Sequence, residues 1–124
     1  MNSTKKIVEI IDDEDDIVQC LSERITDDHP DVFVYAGSKC TGLKHAPDLL
    51  IIDYLMRGKT GCQCIKQCIG KGHFPKIIIW SAFKELLDSS EIAEVTELNK
   101  NINIVQKPDW KALDLAIKNA LYGA

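Results

Sequence analysis

Long hydrophobic runs, an excess of positive charge and internal repeats are all missing from this sequence of 124 residues. No apolar run approaches the roughly 20 residues that a membrane-spanning helix needs, and no secretory leader precedes the first predicted strand. A formal net charge of -4 argues against nonspecific binding to nucleic acid or to an anionic membrane surface. We therefore expect a cytoplasmic protein that binds neither nucleic acid nor membranes directly.

The composition indicates one packed domain. Hydrophobic residues make up 45% of the chain, which is enough for a core, and we expect residues 1–124 to form a single domain without a linker. An odd number of cysteines predicts free thiols in a reducing compartment: Cys20, Cys40, Cys62, Cys64 and Cys68. Cys62, Cys64 and Cys68 with His73 form a poor metal motif, because Cys62 and Cys64 lie on different helix faces. Buried thiols are the simpler interpretation.

The most informative stretch is residues 47–61. Four apolar residues run directly into Asp53, and glycines follow at positions 58 and 61. A continuous apolar run predicts a strand buried on both faces, which is typical of a parallel sheet covered by helices. Asp53 is then placed at the carboxyl end of the strand, where open α/β sheets bind their ligands.

Strand and helix patterns alternate five times along the chain. The predicted strands cover residues 6–11, 32–35, 49–52, 77–80 and 102–105. The predicted helices cover residues 17–25, 38–44, 65–69, 84–99 and 110–121, the second of them being short. Val95, Leu87 and Leu98 are expected to face inward from the fourth helix. This alternation predicts a parallel sheet with helices on both faces, in which the charge of Glu9 on a central strand is out of place.

Polar residues stand at the carboxyl ends of four predicted strands. Asp12 and Asp13 follow the first strand, Asp53 the third, Ser81 the fourth and Lys107 the fifth. A parallel sheet brings these ends to one edge, where the carboxylates would repel one another unless a cation intervened. Mg²⁺ prefers such oxygen ligands. A carboxylate nucleophile, a magnesium ion, a lysine and a hydroxyl are what phosphoryl transfer to an aspartate requires.

Taken singly, each of these residues has a simpler interpretation. Asp12 and Asp13 could cap the first helix, and Ser81 could bond to its own backbone. Asp53 could begin a turn before Gly58.

Two other groups of residues are interpreted structurally. Trp80 and Trp110 are expected in the core or at an interface. The glutamates at 91, 94 and 97 most simply form a solvated helix face.

Four motifs together resemble the receiver domain of two-component response regulators. They are Asp-Asp-Glu after the first strand, the Pro-Asp-Leu-Leu-Ile-Ile-Asp run, Ser-Ala after the fourth strand and Lys-Pro after the fifth. The resemblance covers the whole chain in order. It implies a flavodoxin-like (βα)5 three-layer sandwich, with a five-stranded parallel sheet in the order 2-1-3-4-5.

By this resemblance Asp53 accepts a phosphoryl group from a sensor histidine kinase or a histidine phosphotransfer protein. Ser81 matches the hydroxyl that moves toward the phosphoryl group, and Lys107 matches the lysine that pairs with it. Such a domain is not a conventional enzyme, because it catalyses only its own phosphorylation and dephosphorylation.

The resemblance also implies a metal site and an output surface. Mg²⁺ would be held by Asp12, Asp13, Asp53 and the backbone carbonyl of Leu55. The face formed by helix four, strand five and helix five would carry the signal to a downstream protein. Homodimerisation is left open.

Three departures from the family pattern bear on the mechanism. Ile104 replaces the aromatic residue that usually swings inward, and Arg57 stands where proline is common. Leu55 and Phe83 flank the site where polar groups are frequent. We hypothesise that they hinder an attacking water molecule and so lengthen the lifetime of the phosphoryl group.

Three alternatives remain. Ile104 is compatible with a receiver-like interaction module that is never phosphorylated. A phosphatase of the haloacid dehalogenase type would need a second aspartate at the position of Leu55. A flavodoxin-like electron carrier would need donors for a flavin phosphate where the first loop is acidic.

Overall fold

The computed structural model describes residues 5–37, 46–56, 58–72, 74–82 and 89–123. Its strands are β1 (Lys6–Ile11), β2 (Val32–Gly37), β3 (Leu49–Ile52), β4 (Leu55–Met56), β5 (Lys59–Thr60), β6 (Lys76–Ser81) and β7 (Ile102–Gln106). Its helices are α1 (Asp15–Asp28), α2 (Gly61–Gly70), α3 (Ser90–Leu98) and α4 (Trp110–Tyr122). The five long strands all lie where the apolar runs predicted them.

The main sheet has five parallel strands in the order β2-β1-β3-β6-β7. Counting only the strands of this sheet, the order is 2-1-3-4-5, so the predicted fold is confirmed. β4 and β5 form a separate antiparallel hairpin after β3, which the sequence pattern did not predict. Gly58 has a φ of 75° between these strands, a conformation that glycine adopts without strain.

Helices cover both faces of the sheet, as expected. On one face α1 and α4 pack against alternate residues of the strands, including Val8, Ile51 and Trp80; we call this cluster the α1/α4 core. On the other face α2 and α3 pack against the intervening residues, such as Leu50 and Ile79; this cluster is the α2/α3 core. β3 is buried along its whole length because it contributes to both.

The prediction that Leu98 faces inward from the fourth predicted helix is wrong. Val95 is fully buried, but Leu98 is 50% exposed. Asn99 takes the position one helical turn after Val95, where it is buried and donates from its amide to the carbonyl of Pro75 at 3.0 Å. The inward-facing stripe therefore ends on a polar residue that also ends the helix.

Some predictions fall outside the described residues. These are the short helix at 38–44, residues 84–88 of the fourth helix with Leu87, and the side chains of Cys40, Arg57, His73 and Phe83. Within the described part, α3 begins at Ser90, after Ser89, whose hydroxyl accepts from the Glu91 backbone N–H at 3.2 Å. Glu9 is buried on β1, as its place in the strand required.

The four cysteines in the described part of the chain are thiols outside any disulfide, in agreement with the prediction from the odd count. Cys62, Cys64 and Cys68 are buried in α2, and Cys20 is exposed on α1. Burial, together with the nearby Glu91 carboxylate, raises the pKa of the Cys62 thiol to about 12. This thiol is therefore protonated and unreactive at neutral pH.

None of the described helices is long and apolar enough to cross a membrane.

Candidate functional site

The four polar strand ends meet at the carboxyl edge of the sheet. The ammonium Nζ of Lys107 lies 2.8 Å from Oδ2 of Asp12 and 3.5 Å from Oδ2 of Asp53. The Ser81 side chain hydrogen bonds to the Asp53 carboxylate. Residues from four strands thus surround one small volume, which the alignment of parallel strand ends led us to expect.

Burial and charge crowding determine how these groups ionise. Asp53 is 7% exposed and Asp12 is 3% exposed. Burial raises the pKa of Asp53 and the Asp12 charge adds to this, although the Lys107 charge and the Ser81 hydrogen bond act in the opposite direction. Burial disfavours the charged form of Lys107, but the hydrogen bond to Asp12 and the Asp53 charge outweigh it, so the Lys107 pKa is raised. The ammonium is therefore firmly charged.

Backbone hydrogen bonds between neighbouring strands hold the strand ends in register. The Asp53 N–H donates to the carbonyl of Ile11 at 3.1 Å, and the Lys107 N–H donates to the carbonyl of Ser81 at 2.9 Å. Each functional residue is therefore fixed through its main chain as soon as the sheet forms.

A close backbone contact fixes the segment after Asp53. The Gly61 N–H donates to the carbonyl of Tyr54 at 2.7 Å, and a Cβ on Gly61 would lie 2.4 Å from the carbonyl oxygen of Asp53. Only glycine fits there. Thr60 and Gln63 then form a capping box that starts α2 immediately beside the site.

Three carboxylates could hold a cation. Oxygen atoms of Asp12, Glu14 and Asp53 lie within 4.8 Å of one another. Glu14 was not predicted, although it lies in the acidic Asp-Asp-Glu motif; its Oε1 is 3.6 Å from the Lys107 ammonium. Asp13 is half-buried, and its role as a ligand stays a prediction, as does that of the Leu55 carbonyl.

These donors fit Mg²⁺. They are all oxygen atoms. Among the described residues, three carboxylates against one ammonium leave an excess of negative charge that a divalent cation would neutralise. The simpler interpretation of Asp12 as a helix cap fails, because Glu14 is the N-cap residue of α1. Asp12 instead accepts the Glu14 N–H at 3.0 Å with Oδ1 and the Lys107 ammonium with Oδ2.

Two of the residues that depart from the family pattern are close in sequence to a site residue: Leu55 to Asp53, and Ile104 to Lys107. Leu55 is 54% exposed on β4, two residues after Asp53. Ile104 is half-buried on β7 and packs against the α2/α3 core. Its side chain is thus an ordinary part of the hydrophobic packing.

Glu91 contacts the segment that follows Asp53, although sequence reasoning assigned this residue to a solvated helix face. It is half-buried on α3, and its carboxylate accepts hydrogen bonds from the Tyr54 hydroxyl at 2.8 Å and the Thr60 hydroxyl at 3.1 Å. It therefore links α3 to the segment after Asp53. Neither donor is near Glu91 in sequence, so spacing held no signal of this contact.

No family model matches the chain, and no curated protein matches it by sequence. Solved structures do match. The N-terminal domain of an uncharacterized protein from Wolinella succinogenes is 25% identical, covers 96% of this chain and 95% of that chain, and gives a TM-score of 0.75.

Two matching structures carry a name that describes their role. The signal receiver domain of an HD domain-containing protein from Pseudomonas fluorescens is 18% identical, covers 95% of each chain and gives a TM-score of 0.78. A response regulator protein from Thermotoga maritima, solved in complex with Mg²⁺ and BeF, is 20% identical and gives a TM-score of 0.75. The match covers 93% of this chain and 98% of that chain. This chain therefore has the receiver-domain fold of two-component response regulators.

Proposed function

We propose that this chain is a single receiver domain, comprising residues 1–124, in which Asp53 accepts a phosphoryl group from a phosphohistidine. The donor is a sensor histidine kinase or a histidine phosphotransfer protein. The observation that carries the proposal is the position of the Lys107 ammonium, 2.8 Å from Asp12 and 3.5 Å from Asp53, at the edge where the Ser81 hydroxyl also lies.

The reaction assigned to the site is a displacement at phosphorus. A carboxylate oxygen of Asp53 forms a bond to phosphorus, the bond from phosphorus to the histidine nitrogen breaks, and that nitrogen keeps the electron pair and takes up a proton. Lys107 stabilises negative charge on the oxygens of the transferring group, and Ser81 donates a hydrogen bond to one of them.

Asp12, Glu14 and Asp53, with Asp13 and the Leu55 carbonyl as expected from the resemblance, would hold Mg²⁺. When bound, Mg²⁺ supplies positive charge against the oxygens of the phosphoryl group. Without a cation, these three carboxylates would present a negative surface to an anionic donor, which supports the proposal of a cation here.

Phosphorylation would switch a protein-interaction surface formed by α3, β7 and α4. These elements correspond to the fourth helix, fifth strand and fifth helix of the sequence prediction. The phosphoryl group adds about 1.5 to 2 negative charges beside Lys107 and Ser81, at the ends of β7 and β6. Leu98 on α3 and Leu115 on α4 are 50% and 60% exposed, which supports an apolar contact with a downstream protein.

The test uses the full chain with Mg²⁺ and acetyl phosphate. We expect intact-mass measurement to show the addition of one phosphoryl group, which is lost when EDTA is present and in the Asp53→Asn variant. Asp27→Asn, which changes an exposed aspartate in the last turn of α1, serves as the matched control and should be labelled like the wild type.

Two results would contradict the proposal. If the folded wild type gains no phosphoryl mass, the chain is the phosphorylation-independent interaction module that Ile104 permits. If Asp53→Asn is still labelled, another residue is the acceptor.

A further inference from the structure

Trp80 lies directly beneath the site. It precedes Ser81 on β6 and is 2% exposed in the α1/α4 core. The Lys107 ammonium is 5.4 Å from the centroid of its indole ring. The same ammonium donates to Asp12 at 2.8 Å, so it interacts with a carboxylate and an aromatic face at once.

The surroundings of the Trp80 indole indicate which part of this side chain matters. Its Nε1 is buried and forms no hydrogen bond with the described residues. Leucine or phenylalanine would pack against the core without burying an unsatisfied N–H group. What tryptophan adds is its large aromatic face, which attracts a cation more strongly than the rings of phenylalanine or tyrosine do.

We propose that Trp80 is a positioning residue for Lys107, holding the ammonium at the site while its anionic partners change. The inference rests on the proposed function, because Lys107 must exchange Asp12 for an oxygen of the phosphoryl group. The lysine stem is flexible. Attraction to a ring face has little directional demand, so it persists as the ammonium moves between these partners.

A second indole in the same core provides a matched control. Trp110 contacts Trp80 edge-on, with ring centroids 4.7 Å apart, and the Arg24 guanidinium lies 5.1 Å from the Trp110 centroid. Replacing either tryptophan by leucine removes the contact between the two indoles and one indole–cation pair. Only Trp80→Leu removes the pair that involves Lys107.

The experiment measures two quantities in the full-length chain. The first is the rate constant of phosphorylation by acetyl phosphate with Mg²⁺, which we expect to fall about tenfold in Trp80→Leu, about threefold in Trp80→Phe and little in Trp110→Leu. The second is the NMR shift of the Lys107 ε protons. A ring current should move it upfield in the wild type and in Trp110→Leu, but not in Trp80→Leu.

The outcomes separate this inference from the proposed function. If the wild type is not phosphorylated, the proposed function fails. If it is phosphorylated and folded Trp80→Leu reacts as fast as Trp110→Leu, the positioning role is wrong. If Trp80→Leu does not fold, an unshifted Lys107 ε resonance in the wild type, or a wild-type rate in Trp80→Phe, overturns the inference.

Discussion

Asp53 is a charged residue in a place that disfavours charge. It is 7% exposed, follows a strand buried on both faces, and lies beside Asp12. Lys107 and Ser81 compensate only in part, because the Asp53 pKa is still raised above its ordinary value of 3.8. Ionisation of the Asp53 carboxylate therefore lowers the stability of the folded protein.

Replacing Asp53 by asparagine should stabilise the protein at neutral pH. Because the folded state binds a proton more tightly than the unfolded state, the free energy of unfolding falls as pH rises from about 3.8 through the raised pKa of Asp53. Asp53→Asn removes this loss, so its unfolding free energy should exceed that of the wild type by about 1 kcal/mol at pH 7. The difference should disappear below pH 3.8.

Urea denaturation across this pH range measures the effect. Glu97→Gln removes a carboxylate whose side chain is 80% exposed, and it should change stability by less than about 0.5 kcal/mol. An Asp53→Asn variant that is less stable than the wild type at pH 7 would show that the carboxylate contributes net stability.

At the level of secondary-structure elements, α3 is joined to the rest of the fold by polar contacts as well as by the α2/α3 core. Glu91 accepts from Tyr54 and Thr60, and Glu94 forms an ion pair with Lys66 on α2. The Glu91 contacts are half-buried, whereas Glu94 is more than half exposed. Glu91 therefore contributes more stability than its exposed neighbours, since charged hydrogen bonds are worth more away from solvent.

Glu91→Ala should lower the free energy of unfolding by about 1 to 3 kcal/mol, because two hydroxyl groups lose a charged acceptor. Glu97→Ala on the same helix should cost less than about 0.5 kcal/mol. Urea denaturation measures the unfolding free energies of both variants, and we expect the m-value to stay unchanged. Tyr54→Phe should also cost less in the Glu91→Ala background than in the wild type. Equal losses in the two backgrounds would mean that Tyr54 and Glu91 are not coupled.

The elements differ in how far the sequence predicts them. Buried parallel strands are continuous apolar runs, so β3 and β6 could be located closely. The β4–β5 hairpin could not, because two-residue strands show no periodicity. The inward position of Leu98 was predicted from helical spacing, but the hydrogen bonds of Asn99 determine which side chain is buried there.

At the scale of the whole molecule, the sheet topology explains why the sequence predicts which residues meet at the candidate site. Parallel strands bring Asp12, Asp53, Ser81 and Lys107 together whatever their separation in sequence, so an ordered list of strand ends describes the site. No comparable rule predicts from sequence which side chains of the helices and loops covering the sheet will contact one another. The Glu91 network and the place of Trp80 beneath Lys107 depend on side-chain packing, which becomes visible only when the fold is complete.

The balance of charge predicts how the whole domain responds to metal. Within the part of the chain that the structure describes, three carboxylates within 4.8 Å of one another face the Lys107 ammonium, and their mutual repulsion exists only in the folded state. Mg²⁺ should therefore stabilise the folded protein, by about 1.4 kcal/mol at ten times its dissociation constant. That corresponds to a rise of roughly 3 to 6 °C in the melting temperature for a domain of this size.

Thermal denaturation at constant ionic strength tests this. EDTA should reverse the shift, Glu97→Gln should retain it, and Asp12→Asn should lose most of it because the remaining carboxylates repel each other less and offer fewer ligands. A sodium salt at equal ionic strength should produce no comparable rise, since screening acts weakly on groups as buried as Asp12 and Asp53. If Asp12→Asn responds to Mg²⁺ as strongly as the wild type, the cation binds elsewhere and not at the carboxylates of this edge.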